Sequence, residues 1–291
     1  MLVDEYGRRI TNLRIAVTMK CNLRCIYCHR EGEKESGKEM SLDEIVEIAE
    51  AFRELGIRKV KITGGEPLLR RDICDIISSM PEFQEISITT NGTLLSKLAE
   101  DLKDAGLDRI NVSLDSLRSD VYRFITGGDV EKVVDGIIAA CNAKLTPVKI
   151  NMVVMKDLND DQIEEMMEFV SSLNSEEVKA ILQVIEVLRL KSLEKYYVDI
   201  SKVERKIASM AEAVVLREMH FRKQYRVGDV VVEFVKPCKE FCMHCNRIRV
   251  TSDGKIKPCL MKEESIDARG LRGKELIEAI KKAVKIRKPY Y

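Results

Sequence analysis

Six times along this 291-residue chain a short apolar run gives way to a segment of helical periodicity. The runs cover residues 12–17, 59–62, 86–89, 109–114, 148–154 and 181–187. The clearest helix begins at Ser41, which forms a capping-box pair with Glu44. Ile45, Ile48, Ala49, Phe52 and Leu55 then recur at helical spacing before Gly56 ends the pattern. Further helical patterns fall at 73–79, 94–105, 130–140 and 160–173. Strands alternating with helices across short joins predict parallel strands with covering helices, an α/β fold. Either a barrel-like sheet or an open doubly wound one satisfies that rhythm. An open sheet built for a dinucleotide carries a glycine-rich fingerprint after its first strand; here a cysteine-rich loop stands there instead. In a barrel the active residues gather at the C-terminal strand ends. On this reading those ends carry the cysteines, Gly64-Gly65-Glu66, Asn91, Ser113 to Asp115 and Lys156.

Beyond residue 200 the rhythm changes. A helical stretch at 201–210 precedes short strands at 214–219, 221–227 and 230–235, the last pair joined by Gly228-Asp229 as a hairpin. Leu276, Ile277, Ile280 and Val284 predict an amphipathic last helix, and the chain ends Pro289-Tyr290-Tyr291. The expected division is 1–200 and 201–291. Lys and Arg number 49 against 48 Asp and Glu, so no global field marks a nucleic-acid partner. No apolar run reaches the ~20 residues that span a bilayer, and the N-terminus lacks a secretory pattern; a cytoplasmic location is expected. The charged run Arg30-Glu31-Gly32-Glu33-Lys34-Glu35 reads as a solvated face, within an exposed excursion over 30–38.

Nine cysteines fall into groups. Cys21, Cys25 and Cys28 lie within eight residues; Cys238, Cys242, Cys245 and Cys259 form a second set; Cys74 and Cys141 stand alone in helical patterns and read as small buried hydrophobes. Grouped thiols without a secretion signal point to metal binding rather than a disulfide framework. Three thiols on one loop suit an iron-sulfur cluster with one iron left open, and a zinc knuckle is the alternative. Cys242, Cys245 and Cys259 suit a second cluster, or zinc with Cys238 as fourth ligand. Arg247 and Arg249, one residue apart on an expected strand, face one side and present two guanidinium forks to a phosphate or a purine edge. Gly64-Gly65-Glu66-Pro67 after the second strand lets backbone approach a ligand, with Glu66 able to accept from an amine; it is equally an ordinary turn.

The spacing C-x3-C-x2-C with Tyr27 before the third cysteine resembles the radical S-adenosylmethionine (SAM) superfamily. Arg70-Arg71-Asp72 after the Gly-Gly-Glu-Pro loop, and the segment from Cys242 to Cys259 with Arg247 and Arg249, narrow the resemblance to the GTP 3′,8-cyclase family of molybdenum-cofactor biosynthesis, over nearly the whole chain. The resemblance implies a partial (β/α)6 barrel, TIM-like, with a C-terminal extension carrying a second cluster site. It implies two [4Fe–4S] clusters, on Cys21, Cys25 and Cys28 and on Cys242, Cys245 and Cys259. It places Tyr27, Gly64, Gly65, Glu66, Thr89, Asn91, Ser113 and Asn151 about SAM, and Arg14, Lys59, Lys61, Lys149, Arg247 and Arg249 about the GTP substrate. It further implies a one-electron reductant, cyclic pyranopterin monophosphate synthase downstream, a possible homodimer, and neither membrane nor nucleic acid as partner. The expected chemistry is abstraction of the C3′ hydrogen of GTP by a 5′-deoxyadenosyl radical and closure onto guanine C8.

Three departures stand out: the family's Gly-Gly tail is replaced by Pro-Tyr-Tyr, Gln183 stands where the family carries an arginine that Arg189 can replace, and Cys238 adds a thiol. The alternative readings are a radical SAM enzyme acting on a peptide or another small molecule, and a non-catalytic iron-sulfur or zinc protein.

Overall fold

The computed structural model describes residues 1–33 and 37–291. A small ladder pairs β1 (Leu2–Val3) with β2 (Arg9–Ile10). The main sheet opens with β3 (Asn12–Ala16), β4 (Lys59–Thr63), β5 (Glu85–Thr90), β6 (Arg109–Ser113), β7 (Val148–Val154) and β8 (Ala180–Glu186), each parallel to the next. The later strands are β9 (Ala213–Leu216), β10 (Lys223–Val227), β11 (Val230–Val235), β12 (Arg247–Val250), β13 (Lys255–Lys257) and β14 (Ile266–Asp267). They extend both edges of the same sheet, giving the order β14-β13-β12-β3-β4-β5-β6-β7-β8-β11-β10-β9. β12 runs parallel to β3 and β11 parallel to β8, so eight neighbouring strands share one direction.

Parallel sheets covered on both faces usually read as continuous apolar runs; these strands alternate. Leu13, Ile15, Val60, Ile62, Ile88, Ile110, Val112, Ile150, Leu182 and Val184 face outward and are buried. They share one core with Ile45 and Phe52 of α1 (Leu42–Glu54), Ile76 of α2 (Ile73–Ser78), Leu102 of α3 (Ala99–Asp104), Ile137 of α5 (Val130–Asn142) and Val170 of α6 (Ile163–Ser172). Each such side chain contributes roughly 1.5–3 kcal/mol on leaving water. The opposite face carries Arg14, Lys61, Ser87, Asn111, Lys149 and Gln183, adjacent in register from strand to strand or nearly so, and all line one cavity. The sheet therefore curls, with its apolar side under the helices and its charged side inward.

The capping box at Ser41 is present, Ser41 accepting from the Glu44 N–H and Glu44 from the Ser41 N–H. Some elements differ from the expectation. A helix α4 (Ser119–Thr126), closed by Gly127 in the left-handed conformation, follows β6 unannounced. The stretch expected as one helix at 94–105 breaks into a 3-10 turn, Leu95–Lys97, and α3. Between β9 and β10 the 3-10 turn Met219–Phe221 takes the place of strand ends, with His220 and Phe221 at φ of 62° and 52°. The helices α7 (Ser201–Met210), α8 (Lys239–Met243) and α9 (Gly273–Lys285) complete the chain. No helix among the described residues is long and apolar enough to cross a membrane.

Candidate active site

The inward face of the sheet encloses a cavity of about 420 Å³, a size that suits a small-molecule ligand. Six of the seven grouped cysteines reach it: Cys21, Cys25, Cys28, Cys242, Cys245 and Cys259 line the wall, while Cys238 is exposed and outside it. The first set follows the C-terminal end of β3. Cys245 precedes β12, which is parallel to β3, so it stands at the opposite end of the strand direction. Cys259 follows β13, which is antiparallel to β12 with Lys257 opposite Arg249, and so returns to the Cys245 end. The strand residues between the two thiol sets span roughly 13 Å at about 3.3 Å per residue.

The first cysteine loop is zipped to the loop after β4. Gly65 N–H donates to the Thr18 carbonyl and Glu66 N–H to the Lys20 carbonyl, both at 2.7 Å. A Cβ on Gly64 would lie 2.2 Å from the Thr18 oxygen, and one on Gly65 2.3 Å from the Lys20 oxygen. These glycines thus permit the two loops to meet, and the Gly65 and Glu66 N–H groups are taken up in that contact. Glu66 is likewise fully buried, accepting from Leu68 N–H (3.0 Å), the Thr90 hydroxyl (2.6 Å) and Asn91 N–H (2.6 Å); it ties the β4 and β5 loops together rather than opening onto the cavity. Burial pushes its carboxyl up to about 7. The Tyr27 hydroxyl donates to Asp115 at 2.7 Å, and Asp115 also accepts from Val153 N–H; burial raises its carboxyl to about 6. Gly64, Gly65, Thr89, Asn91, Ser113 and Asn151 all line the cavity, and the Thr89 hydroxyl and Asn151 carbonyl oxygens are buried without a partner among the described residues. Lys156 is exposed and stands apart from this wall.

The second thiol set is held from behind. Arg8 donates to the Cys242 carbonyl and Arg287 to the Cys245 carbonyl, both at 2.7 Å, and both guanidinium groups share the buried carboxylate of Asp4. The Asp4 carboxylate fixes both guanidinium groups, because losing it would leave two buried charges uncompensated.

Between the two sets the wall is cationic. Arg14, Lys59, Lys61, Lys149, Arg247 and Arg249 all line it. Lys59 pairs with Glu85 at 3.2 Å, and Lys149 with Glu233 at 3.0 Å. Lys61 donates to Asn111 at 2.6 Å, and burial followed by the Arg109 and Arg14 charges pushes its ammonium well below its usual value. Burial and then Arg14, Arg222 and Arg249 bear on Arg247 in the same direction. Cations crowded this way favour an anionic ligand.

The structure adds groups that local patterns leave unmarked. Arg109, Arg217 and Arg222 also line the cavity. Glu233, fully buried, accepts from Lys149, Arg217 (3.1 Å), Arg222 (2.6 Å), Gln183 (2.9 Å) and Gln224 (2.7 Å), one carboxylate set against three cations. Arg109 could have been flagged, since it shares the inward face with Asn111 two residues on; Arg217 and Arg222 come in only through the β9–β10 fold-back. Arg189, weighed as a replacement for a strand-eight arginine, instead stacks on Tyr197 outside the cavity. Tyr290 and Tyr291 reach the cavity wall. Cys74 and Cys141 pack against the core, as expected for small hydrophobes.

The run read as a solvated face corrects most sharply. Glu31 lies in the cavity between Arg14 and Arg249, and Glu33 is buried, accepting from the Ser252 N–H and hydroxyl. Their partners come from β3 and β12, which no local pattern joins to this loop. Lys34 and Glu35 lie outside the described residues.

Residues 15–170 match the family model described as the Radical SAM superfamily, and residues 180–291 that described as Molybdenum Cofactor Synthesis C. A protein of Archaeoglobus fulgidus named "Probable GTP 3′,8-cyclase" is 58% identical over 294 residues, covering 100% of this chain and 99% of that protein. A protein of the same name from Methanocella arvoryzae is 47% identical over 296 residues, covering 100% and 95%. Among solved structures, Streptococcus suis SuiB bound to S-adenosylmethionine superposes with a TM-score of 0.70 at 18% identity, over 94% of this chain and 64% of SuiB, a likeness of fold. The chain belongs to the radical SAM superfamily and, within it, to the family of these full-length GTP 3′,8-cyclase relatives.

Proposed function

We infer that this protein is a radical SAM GTP 3′,8-cyclase of molybdenum-cofactor biosynthesis, forming 3′,8-cyclo-7,8-dihydro-GTP. The observation that carries the reading is one cavity lined at its two ends by separate three-thiol sets, with a cationic wall between them. The curled parallel sheet supports a partial (β/α)6 barrel. The residues fit two clusters by donor chemistry: thiolates are the usual iron-sulfur ligands, and each set comes from one end of the cavity. Among the described residues no three His, Cys, Asp or Glu side chains are gathered as for a single metal ion. A cluster asks less convergence of its ligands, since each thiolate meets a different iron.

Cys21, Cys25 and Cys28 would hold a [4Fe–4S] cluster which, with SAM, supplies a 5′-deoxyadenosyl radical; Cys242, Cys245 and Cys259 would hold the second cluster. The chain's own work is binding, orientation and exclusion. Lys61, Arg247 and the cations around them bind the triphosphate, while Thr89 and Asn151 offer unpartnered oxygens to hydroxyl or amine groups. Val153, Ile185, Val187 and Leu188 form an apolar stretch of wall that keeps water from a carbon radical. No side chain is required as a general base for hydrogen abstraction. A one-electron reductant, a downstream cyclic pyranopterin monophosphate synthase, a cytoplasmic setting and a homodimer accompany the reading.

The test is anaerobic reconstitution with iron and sulfide, followed by SAM, reductant and each nucleoside triphosphate in turn. GTP alone should be consumed, with 5′-deoxyadenosine and a cyclised nucleotide formed together. Deoxyadenosine without GTP consumption would favour a different small-molecule or peptide substrate, and zinc in place of iron would remove the enzymatic reading.

A further inference from the structure

Among the described residues, Glu31 is a cavity carboxylate that occupies two of the arginines expected to bind the substrate, Arg14 and Arg249. Its Oε1 accepts from Arg14 Nη1 at 3.1 Å and from the Thr63 hydroxyl at 3.2 Å, and its Oε2 accepts from Arg249 Nη1 at 2.5 Å. Two guanidinium groups and a hydroxyl converging on two oxygens form the donor set of a phosphate site. The carboxylate that fills it belongs to the chain itself. Despite burial, which alone would raise it, the Arg14 and Arg249 charges hold its carboxyl at about 2, so it stays an anion at every working pH and only another anion can take its place.

The segment carrying Glu31 is held under local strain. Arg30, Glu31 and Gly32 sit at φ of 48°, 49° and 76°, a left-handed run with two non-glycine members. Lys257 donates to the Gly32 carbonyl, and a Cβ on Gly32 would lie 2.6 Å from the Leu260 oxygen. The strained turn is therefore kept in place by its docking on the β12–β13 side and by the two ion pairs. Loss of those pairs lets it relax.

We propose that Glu31 is a built-in competitor for the phosphate site, standing between Arg14 and Arg249 where an anionic group of the nucleotide binds and yielding only to a polyphosphate. The proposal rests on the cyclase reading for the identity of the nucleotide. A single small anion gains only the two arginines that Glu31 already satisfies. A triphosphate gains those and also Lys61 and Arg247, neither of which has an acidic partner among the hydrogen bonds and ion pairs described above. When the competent state is a minority, apparent affinity falls by its fraction, so a tenfold preference for the docked turn weakens binding about tenfold.

The test is calorimetric binding of inorganic tripolyphosphate, GTP, guanosine and inorganic phosphate to the anaerobically reconstituted full chain, wild type against Glu31→Gln. The substitution keeps the shape and removes the charge. Tripolyphosphate and GTP should tighten about tenfold, guanosine should be unchanged, and inorganic phosphate should bind at concentrations where the wild type ignores it. Thr63→Val, which removes one hydrogen bond to Oε1, should shift tripolyphosphate the same way by a smaller factor and serves if Glu31→Gln does not fold. Weaker or unchanged tripolyphosphate binding in the variants overturns the proposal and makes Glu31 an organiser of the arginines. Tripolyphosphate tightening while GTP fails to bind either protein leaves Glu31 as a competitor and removes the cyclase reading.

Discussion

The two cysteine segments line one cavity yet sit in opposite fields. At the first, burial raises Cys25 to about 12, with the Asp115 charge adding to it, and burial with the Glu66 charge raises Cys21. At the second, burial alone would raise Cys245, but Arg287, the Arg247 N–H and then the Arg247 and Arg249 charges bring it below its usual value. An acid-flanked thiol set suits a cationic partner, and SAM carries a sulfonium; an arginine-flanked set suits an anion, and GTP carries a triphosphate. On the cyclase reading, that difference would let one cavity take both without confusing their places, the sign of the local charge assigning each end before any specific contact forms.

The largest effect expected from this comparison comes from the thiols. Replacing Cys21, Cys25 and Cys28 together by Ala should abolish 5′-deoxyadenosine formation, whereas replacing Cys242, Cys245 and Cys259 should leave SAM binding in place and lose GTP conversion; iron counts and product analysis read both. Equal loss of SAM binding in the two variants would break the division. Next in size, Arg247→Ala removes a cavity cation that has no acidic partner among the described residues. It should cost roughly 2–3 kcal/mol, about 30- to 150-fold in kcat/KM for GTP, with SAM affinity unchanged by equilibrium binding. The smallest effect concerns pH and stability. Glu31 and Glu85 are both held at about 2 by cations that outweigh burial: Arg14 and Arg249 for the first, Arg109 and Lys59 for the second. Carboxyls depressed in the folded state stabilise it above their unfolded value near 4.5, and that contribution fades as pH falls toward 2. Glu66 and Asp115, raised to about 7 and about 6, act in reverse, and their burden grows as pH rises through the interval from 4 to 7. Denaturant melts at pH 3 and pH 6 should show Glu31→Gln losing less on acidification than the wild type, by on the order of 1–2 kcal/mol; an identical loss would deny the ion pairs their role.

Much of this was legible along the chain. The six parallel strands, the capping box at Ser41 and the hairpin at Gly228-Asp229 are local patterns, and the structure bears out each. Lysines and arginines spaced two apart on strands were also readable, because period-two alternation puts them on one face whatever the strand order. What escaped depends on partners far away in sequence. Glu31 looks solvated until β12 docks beside β3 and brings Arg249 to within reach of it. Gly64 and Gly65 look like ligand-approach glycines until the Thr18 and Lys20 carbonyls are seen against them. Arg217 and Arg222 gain their place only when β9 and β10 fold back on β11 and present them to Glu233.

The central claim is that the adenosyl end and the nucleotide end meet inside one cavity. The most direct measurement is turnover with GTP carrying deuterium at C3′, with the 5′-deoxyadenosine analysed by mass spectrometry. One deuterium in the deoxyadenosine, formed in step with cyclised nucleotide, is the predicted result. Unlabelled deoxyadenosine accumulating beside intact or cyclised nucleotide would contradict it.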